Sequence, residues 1–325
     1  MDELALLPWQ EAVWSGLRER LQNDRLPHAL LVAGPPGVGK GRLARRLAAA
    51  QLCESPRDGE PCGACPACRW VVRDEHPDLH RCEPEAGKAA IRVDAVRELI
   101  DFLALSAHRG AVKLAHIEPA EAMNVNAANS LLKTLEEPPP GARLILVSHR
   151  PGRLPATIRS RCQRLDLPLP PRREAVRWLE EQGVAEAGTL LEMAGGAPLQ
   201  ALAWGDEAVR ERQRETWEDL LALAEGRGEV MGAAERWSAG EPVQRLLWWR
   251  RWLLQLRRLQ AGLPGSPPAG LGHLAPLPPE AVHAFDRRLE RLQTQLEGPV
   301  NVALQLADIF NRWVRLTRPL RQARG

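Results

Sequence analysis

Residues 30–48 read LLVAGPPGVGKGRLARRLA. The apolar run Leu30–Ala33 leads into a loop rich in glycine and proline. From Leu43 onward, Leu and Ala recur at helical spacing. Strand, loop and helix in this order gather backbone N–H groups and a helix N-terminus around one point, which suits a phosphate. The loop fits G-x-x-x-x-G-K through Gly34, Gly39 and Lys40, with Gly37 as a further position of backbone freedom. Lys40 is placed to reach β and γ phosphates. The next residue is Gly41, where this motif carries a Ser or Thr hydroxyl for magnesium.

Outward from this stretch, strands and helices alternate. The spacing predicts a helix over 9–25, broken by Pro27, then a strand over 28–34 and a helix over 39–53. A helix over 92–106 places Val93, Val96, Leu99, Ile100 and Leu103 on one face. Strands over 111–118 and 142–149 flank a helix over 124–137 that PPPG (138–141) stops. This alternation predicts an α/β fold with a parallel sheet covered on both faces. Residues 53–90, rich in Cys, Pro, Gly and charge, read as an insertion between regular elements. LDLPLPPRREA (165–175) reads as a domain junction, and beyond it the pattern is helical only.

A second acidic motif belongs at the end of the next core strand. There the chain reads LAHIEPAEAM (114–123). Glu118 takes the place of the magnesium-associated acid. Pro119 takes the place of the glutamate that would activate water, and proline carries no base. With Gly41, two parts needed for phosphoryl transfer are missing at one site. ATP binding stays open, but hydrolysis is not expected.

The chain has six cysteines. Four follow the spacing Cys53-x8-Cys62-x2-Cys65-x2-Cys68 among turn residues, which lets four thiolates converge on zinc. Four protein ligands leave no position for water, so this zinc would be structural. Free thiols or a redox pair are the alternatives. Cys82 lies outside the spacing and reads as a buried or surface thiol.

A net charge of +3 over 325 residues excludes a polycation, so any nucleic-acid contact must be local. No apolar run reaches the roughly 18–20 residues of a membrane helix. The N-terminus MDELALLPWQ lacks a basic n-region, so no signal peptide is expected and the cytoplasm is the default location. QRLLWWRRWLLQLRRL (244–259) invites a nucleic-acid reading through aromatics and arginines. The expected reading is an amphipathic helix that buries Leu247, Trp248, Trp252 and Leu256 and solvates Arg250, Arg251, Arg257 and Arg258.

Residues 126–165, NAANSLLKTLEEPPPGARLILVSHRPGRLPATIRSRCQRL, closely resemble the clamp-loader members of the AAA+ superfamily. LLKTLEEPP and Ser160-Arg161-Cys162 are the most specific parts. The resemblance covers about residues 10–205. It implies an AAA+ P-loop domain over 1–166 with a zinc-binding insertion at about 53–82. A small helical lid over 167–206 and an all-α collar over 207–325 would follow. It further implies a non-motor subunit whose Arg161 is a trans arginine finger for a neighbour's ATP site. Its implied partners are the tau and gamma motor subunits, the delta subunit, the sliding clamp and, weakly or indirectly, primed DNA. No independent ATPase is expected, and the nucleotidyltransferase activity of a DNA polymerase III holoenzyme would belong to the assembly. An active motor subunit is the alternative. Two departures favour the non-motor reading. GGAPLQALA (195–203) carries Leu199 and Gln200 where active members carry a sensing arginine. Ser148 stands where a first sensor would be, with no hydrolysis of its own to sense.

Overall fold

A computed structural model describes residues 3–85, 88–110, 112–263, 270–296, 298 and 300–322. They form two compact units, one of Met1–Trp178 with Ala197–Leu199 and one of Leu179–Gly196 with Gln200–Gly325.

In the first unit, α1 (Glu11–Gln22) follows a short 3-10 turn, Pro8–Gln10. Then come β1 (Ala29–Ala33), α2 (Lys40–Leu52), α3 (Pro66–Val72), β2 (Leu79–Cys82), α4 (Val93–Ala104), β3 (Lys113–Ile117), α5 (Val125–Glu136), β4 (Ala142–Ser148), α6 (Ala156–Arg159) and β5 (Gln163–Asp166). The strands make one parallel sheet in the order β2-β3-β4-β1-β5. The parallel P-loop sheet expected from the sequence is therefore present. Every residue of β1 and β3 is buried, as strands covered on both faces require. Side chains alternate between faces. Leu31, Ala115, Ile117, Leu144 and Leu146 pack under α4, α5 and α6. Leu30, Val32, Leu114, Ile145 and Val147 pack under α1, α2 and α3.

Two strands differ from the sequence expectation. β2 lies inside the stretch expected to be an irregular insertion, and β5 lies at the expected junction. Both are four-residue edge strands with partly polar sequences, LHRC and QRLD. Their order comes from pairing with β3 and β1, which leaves no hydrophobic periodicity to read. Cys82 ends β2 and is buried in the core.

α7 (Arg172–Glu181), α8 (Ala187–Met193) and α9 (Pro198–Trp204) follow, and the division between the units falls within α7 and α9. The second unit continues as α10 (Glu207–Ala224), α11 (Val230–Ala239), α12 (Pro242–Gln260), α13 (Pro279–Gln295) and α14 (Val302–Gln322). Its core is aromatic: the Trp249 ring meets Trp237, Phe285, Phe310 and Trp313 at centroid separations of 5.2–6.0 Å. α12 departs from the expected pattern. Trp249 and Leu253 are buried beside Trp248, Trp252 and Leu256, while Leu247 is half-buried. The arginines expected to be solvated are half-buried. Arg250 donates to Asp286 (2.8 Å) and Gln293 (3.0 Å), and Arg258 lies 3.0 Å from Glu192. The charges of Arg250 and Arg258 are directed at neighbouring helices. Among the described residues no helix is long and apolar enough to cross a membrane.

Candidate functional site

The C-terminal ends of parallel strands form the natural ligand crevice of such a sheet. Gly34 follows β1, Glu118 follows β3, His149 follows β4 and Leu167 follows β5. The loop between β1 and α2 approaches its surroundings so closely that side chains are excluded. A Cβ at Gly34 would lie 2.1 Å from the Leu167 carbonyl oxygen. Gly39 adopts φ +88°, and its Cβ would meet Leu7 and Gln10. Gly37 also has positive φ. The loop's carbonyls are tied down from outside the motif. Trp9 Nε1 donates to the Val38 carbonyl (3.0 Å), Gln10 Nε2 to that of Gly39 (2.8 Å), and the Leu199 backbone N–H to that of Gly37 (3.0 Å). Leu199, noted in the sequence for lacking a guanidinium, thus contributes a backbone contact to the loop.

Lys40 is 2% exposed and its Nζ donates to the Pro35 carbonyl at 2.6 Å. Burial lowers its pKa to about 8, against the pull of Glu118 and Glu121. Glu118 does more than stand in the magnesium acid's position. A Cβ built on Gly41 would lie 2.6 Å from both of its carboxylate oxygens. The acid therefore fills the space where a Ser or Thr at 41 would begin. His116 Nε2 lies 3.3 Å from this carboxylate and Arg81 Nη2 lies 4.0 Å away. Burial pushes the Glu118 carboxyl up, but the contact with His116 and the charges of His116, Arg81 and His149 outweigh it and hold it below the usual range.

Pro119 follows Glu118 and offers no base. The next acid, Glu121, is committed elsewhere: its Oε1 accepts from the backbone N–H groups of His149 (2.9 Å) and Arg150 (3.0 Å). Its Oε2 and His149 Nδ1 are buried with no hydrogen-bond partner among the described residues. Burial, then the charge of Lys40, lowers the His149 pKa against the carboxylates of Glu121 and Glu118. Ser148 is fully buried and its Oγ accepts from the Arg150 N–H (3.2 Å), a strand-end cap. The crevice thus keeps a glycine-rich loop and a buried lysine, with its acids engaged in holding the protein's own groups. Arg81, His116, Glu121, His149, Trp9 and Gln10 were invisible to motif reading because no spacing links them to the loop.

The four cysteines converge beside this core. The Sγ atoms of Cys53, Cys62, Cys65 and Cys68 all lie within 4.8 Å of one another, and those of Cys53 and Cys65 are 3.9 Å apart. Tetrahedral zinc with Zn–S near 2.3 Å needs sulfurs about 3.8 Å apart, so the set fits a metal ion. Backbone N–H groups of Ser55 and Cys62 reach Cys53 Sγ (3.4 and 3.3 Å), that of Cys65 reaches Cys62 Sγ (3.3 Å), and that of Cys68 reaches Cys65 Sγ (3.4 Å). Donors aimed at sulfur favour thiolates. Backbone donation from Ala64 and Cys65 lowers the Cys62 pKa to about 6. Burial raises that of Cys68, which is fully enclosed.

Arg161 is not among the groups around the loop. It follows α6, which packs on the sheet face opposite α2, and its side chain is 35% exposed. Its Nη1 donates to the Thr157 carbonyl (3.0 Å), and its Nη2 pairs with Glu136 at the end of α5.

Similarity to known proteins agrees with this arrangement. A family model described as DNA polymerase III, delta subunit, matches residues 9–171. DNA polymerase III subunit delta' of Pseudomonas aeruginosa is 40% identical over 260 residues, covering 78% of each chain. Subunit delta' of Escherichia coli is 33% identical over 325 residues, covering 96% of each. Subunit tau of Escherichia coli is 32% identical over 208 residues, 62% of this chain and 32% of tau. On the combined extent of these matches, the chain belongs to the DNA polymerase III subunit delta' family.

Proposed function

We propose that this chain is a non-catalytic subunit of a DNA polymerase III clamp loader that helps place the sliding clamp on primed DNA. One observation carries the reading: the phosphate crevice keeps its cradle and Lys40, while Glu118 fills the space of a side chain at 41 and Pro119 replaces the base. A site built in this way supports at most nucleotide binding without turnover. Chemistry then belongs to neighbouring tau or gamma motor subunits, and this chain's contribution is Arg161, a trans arginine finger whose guanidinium stabilises charge on a phosphate bound by the neighbour. The exposed position of Arg161, away from its own phosphate loop, supports that role. The delta subunit is the further protein partner, and contact with primed DNA is weak or indirect. The four thiolates hold structural zinc, which ties α3 to the end of α2. Residues 167–206 act as the lid and 207–325 as the collar, and the assembly works in the cytoplasm.

The test is Arg161→Ala in a loader reconstituted with motor and delta subunits. The variant should fold and assemble normally, while DNA- and clamp-stimulated ATP hydrolysis at the served site falls on the order of 1,000-fold or more. Unchanged turnover would refute the finger. ATP hydrolysis by the isolated chain that vanished in Lys40→Ala would support the motor reading instead.

A further inference from the structure

Arg161 is held by three acceptors of its own chain. Nη2 meets the Glu136 carboxylate, and Nη1 meets the Thr157 carbonyl (3.0 Å) and Ser160 Oγ (3.4 Å). Thr157 and Ser160 sit within or directly after α6, so they travel with Arg161. Glu136 does not, because it is the last residue of α5. A carboxylate there opposes the helix dipole, and Glu137 adds a second negative charge at the same end. The last turn of α5 also carries Lys133, and the cation that pairs directly with Glu136 is Arg161. The pair is accessible, with side chains 35% and 49% exposed.

A guanidinium has five N–H donors in a rigid plane. Glu136, Thr157 and Ser160 engage Nη1 and Nη2, and Nε–H has no acceptor among the described residues. The arrangement fixes the plane from one side and leaves donors for a second anion. We propose that Glu136 is a positioning residue for Arg161. It orders a long, exposed side chain before a neighbour's phosphate arrives, so that less freedom is lost on engagement. This inference rests on the trans arginine finger reading of Arg161.

A double-mutant cycle in the reconstituted loader tests it. The part of the stimulated kcat that Arg161→Ala removes is the Arg161-dependent part. Glu136→Ala should lower that part about 5- to 30-fold, the upper end reflecting the rotational freedom of a released arginine side chain. KM for ATP and the melting temperature of the isolated chain should not change. Glu136→Gln, which keeps an acceptor and loses the charge, should fall between wild type and Glu136→Ala. Adding Glu136→Ala to Arg161→Ala should cost nothing further. An unchanged or increased kcat in Glu136→Ala, or a further loss in the double variant, would overturn the positioning role while leaving the finger standing. If Arg161→Ala itself leaves turnover intact, the finger fails and this inference fails with it.

Discussion

Replacing Gly41 by Ser would restore the hydroxyl that the phosphate loop lacks, and the geometry predicts that it harms the protein without creating an ATPase. The new Cβ would stand 2.6 Å from both Glu118 carboxylate oxygens. Ordinary carbon–oxygen contacts begin near 3.3 Å, so the carboxylate must withdraw by about 0.7 Å or rotate away. The steric cost is small, because the obstructing atoms end a flexible side chain. The main cost lies in what Glu118 leaves behind. Its contacts with His116 at 3.3 Å and Arg81 at 4.0 Å are in a site where the acid is only 17% exposed. Pulling a largely buried carboxylate away from these charge contacts costs about 1–3 kcal/mol. For a unit of this size that lowers the melting temperature by about 3–10 °C. Calorimetry on Gly41→Ser, Glu118→Ala and the double variant measures the effect. In Glu118→Ala the clash is gone, so the double variant should be less destabilised than the two single changes summed. Steady-state assays with magnesium and ATP should show no turnover in any of them, because Pro119 still supplies no base. Strict additivity, or an unchanged melting temperature in Gly41→Ser, would refute the claim that Glu118 occupies this space.

Two further predictions concern the same unit. Burial holds the folded Lys40 pKa near 8, below its ordinary 10.5, so the unfolded state binds more protons between these values and wild-type stability should rise with pH across that window. Lys40→Met should therefore stabilise the chain by about 1–3 kcal/mol at pH 7, an advantage that fades by pH 10.5; urea unfolding at pH 7 and pH 10.5 checks both the gain and its loss. The cysteine cluster should carry one zinc per chain by metal analysis, and chelation or Cys68→Ser should lower the melting temperature by several degrees by loosening the core between α2 and α3; a chelator-treated wild-type chain that melts at the same temperature as the untreated one would oppose the zinc assignment.

The parts of the site that were legible in sequence are those that a few consecutive residues encode. Gly34, Gly37, Gly39 and Lys40 announce a phosphate cradle because strand, turn and helix must follow one another within a short span. Cys53, Cys62, Cys65 and Cys68 announce a metal cluster for the same reason. The long buried strands β1, β3 and β4 carry apolar runs that betray them. β2 and β5 do not, since edge strands of four residues are ordered by their neighbours' backbone. The arginines of α12 were expected in solvent because helical periodicity ranks them as the polar face. Periodicity carries no information about Asp286, Gln293 and Glu192, the groups that engage Arg250 and Arg258.

The sequence by itself determined that residues 34–40 follow a phosphate-loop pattern, that Gly41 and Pro119 lack a hydroxyl and a base, and that Arg161 lies in a stretch resembling clamp loaders. Only the tertiary structure decided why the loss at Gly41 cannot be undone by one substitution. Glu118 is 77 residues away along the chain, and it meets Gly41 because β1 and β3 end at the same edge of one parallel sheet. The pairing of Arg161 with Glu136 has the same origin, in α5 and α6 packing side by side on one sheet face. Spacing encodes what neighbours in the chain do together. Contacts between distant residues are set by strand order and by the face on which each helix packs, and these exist only once the sheet has formed.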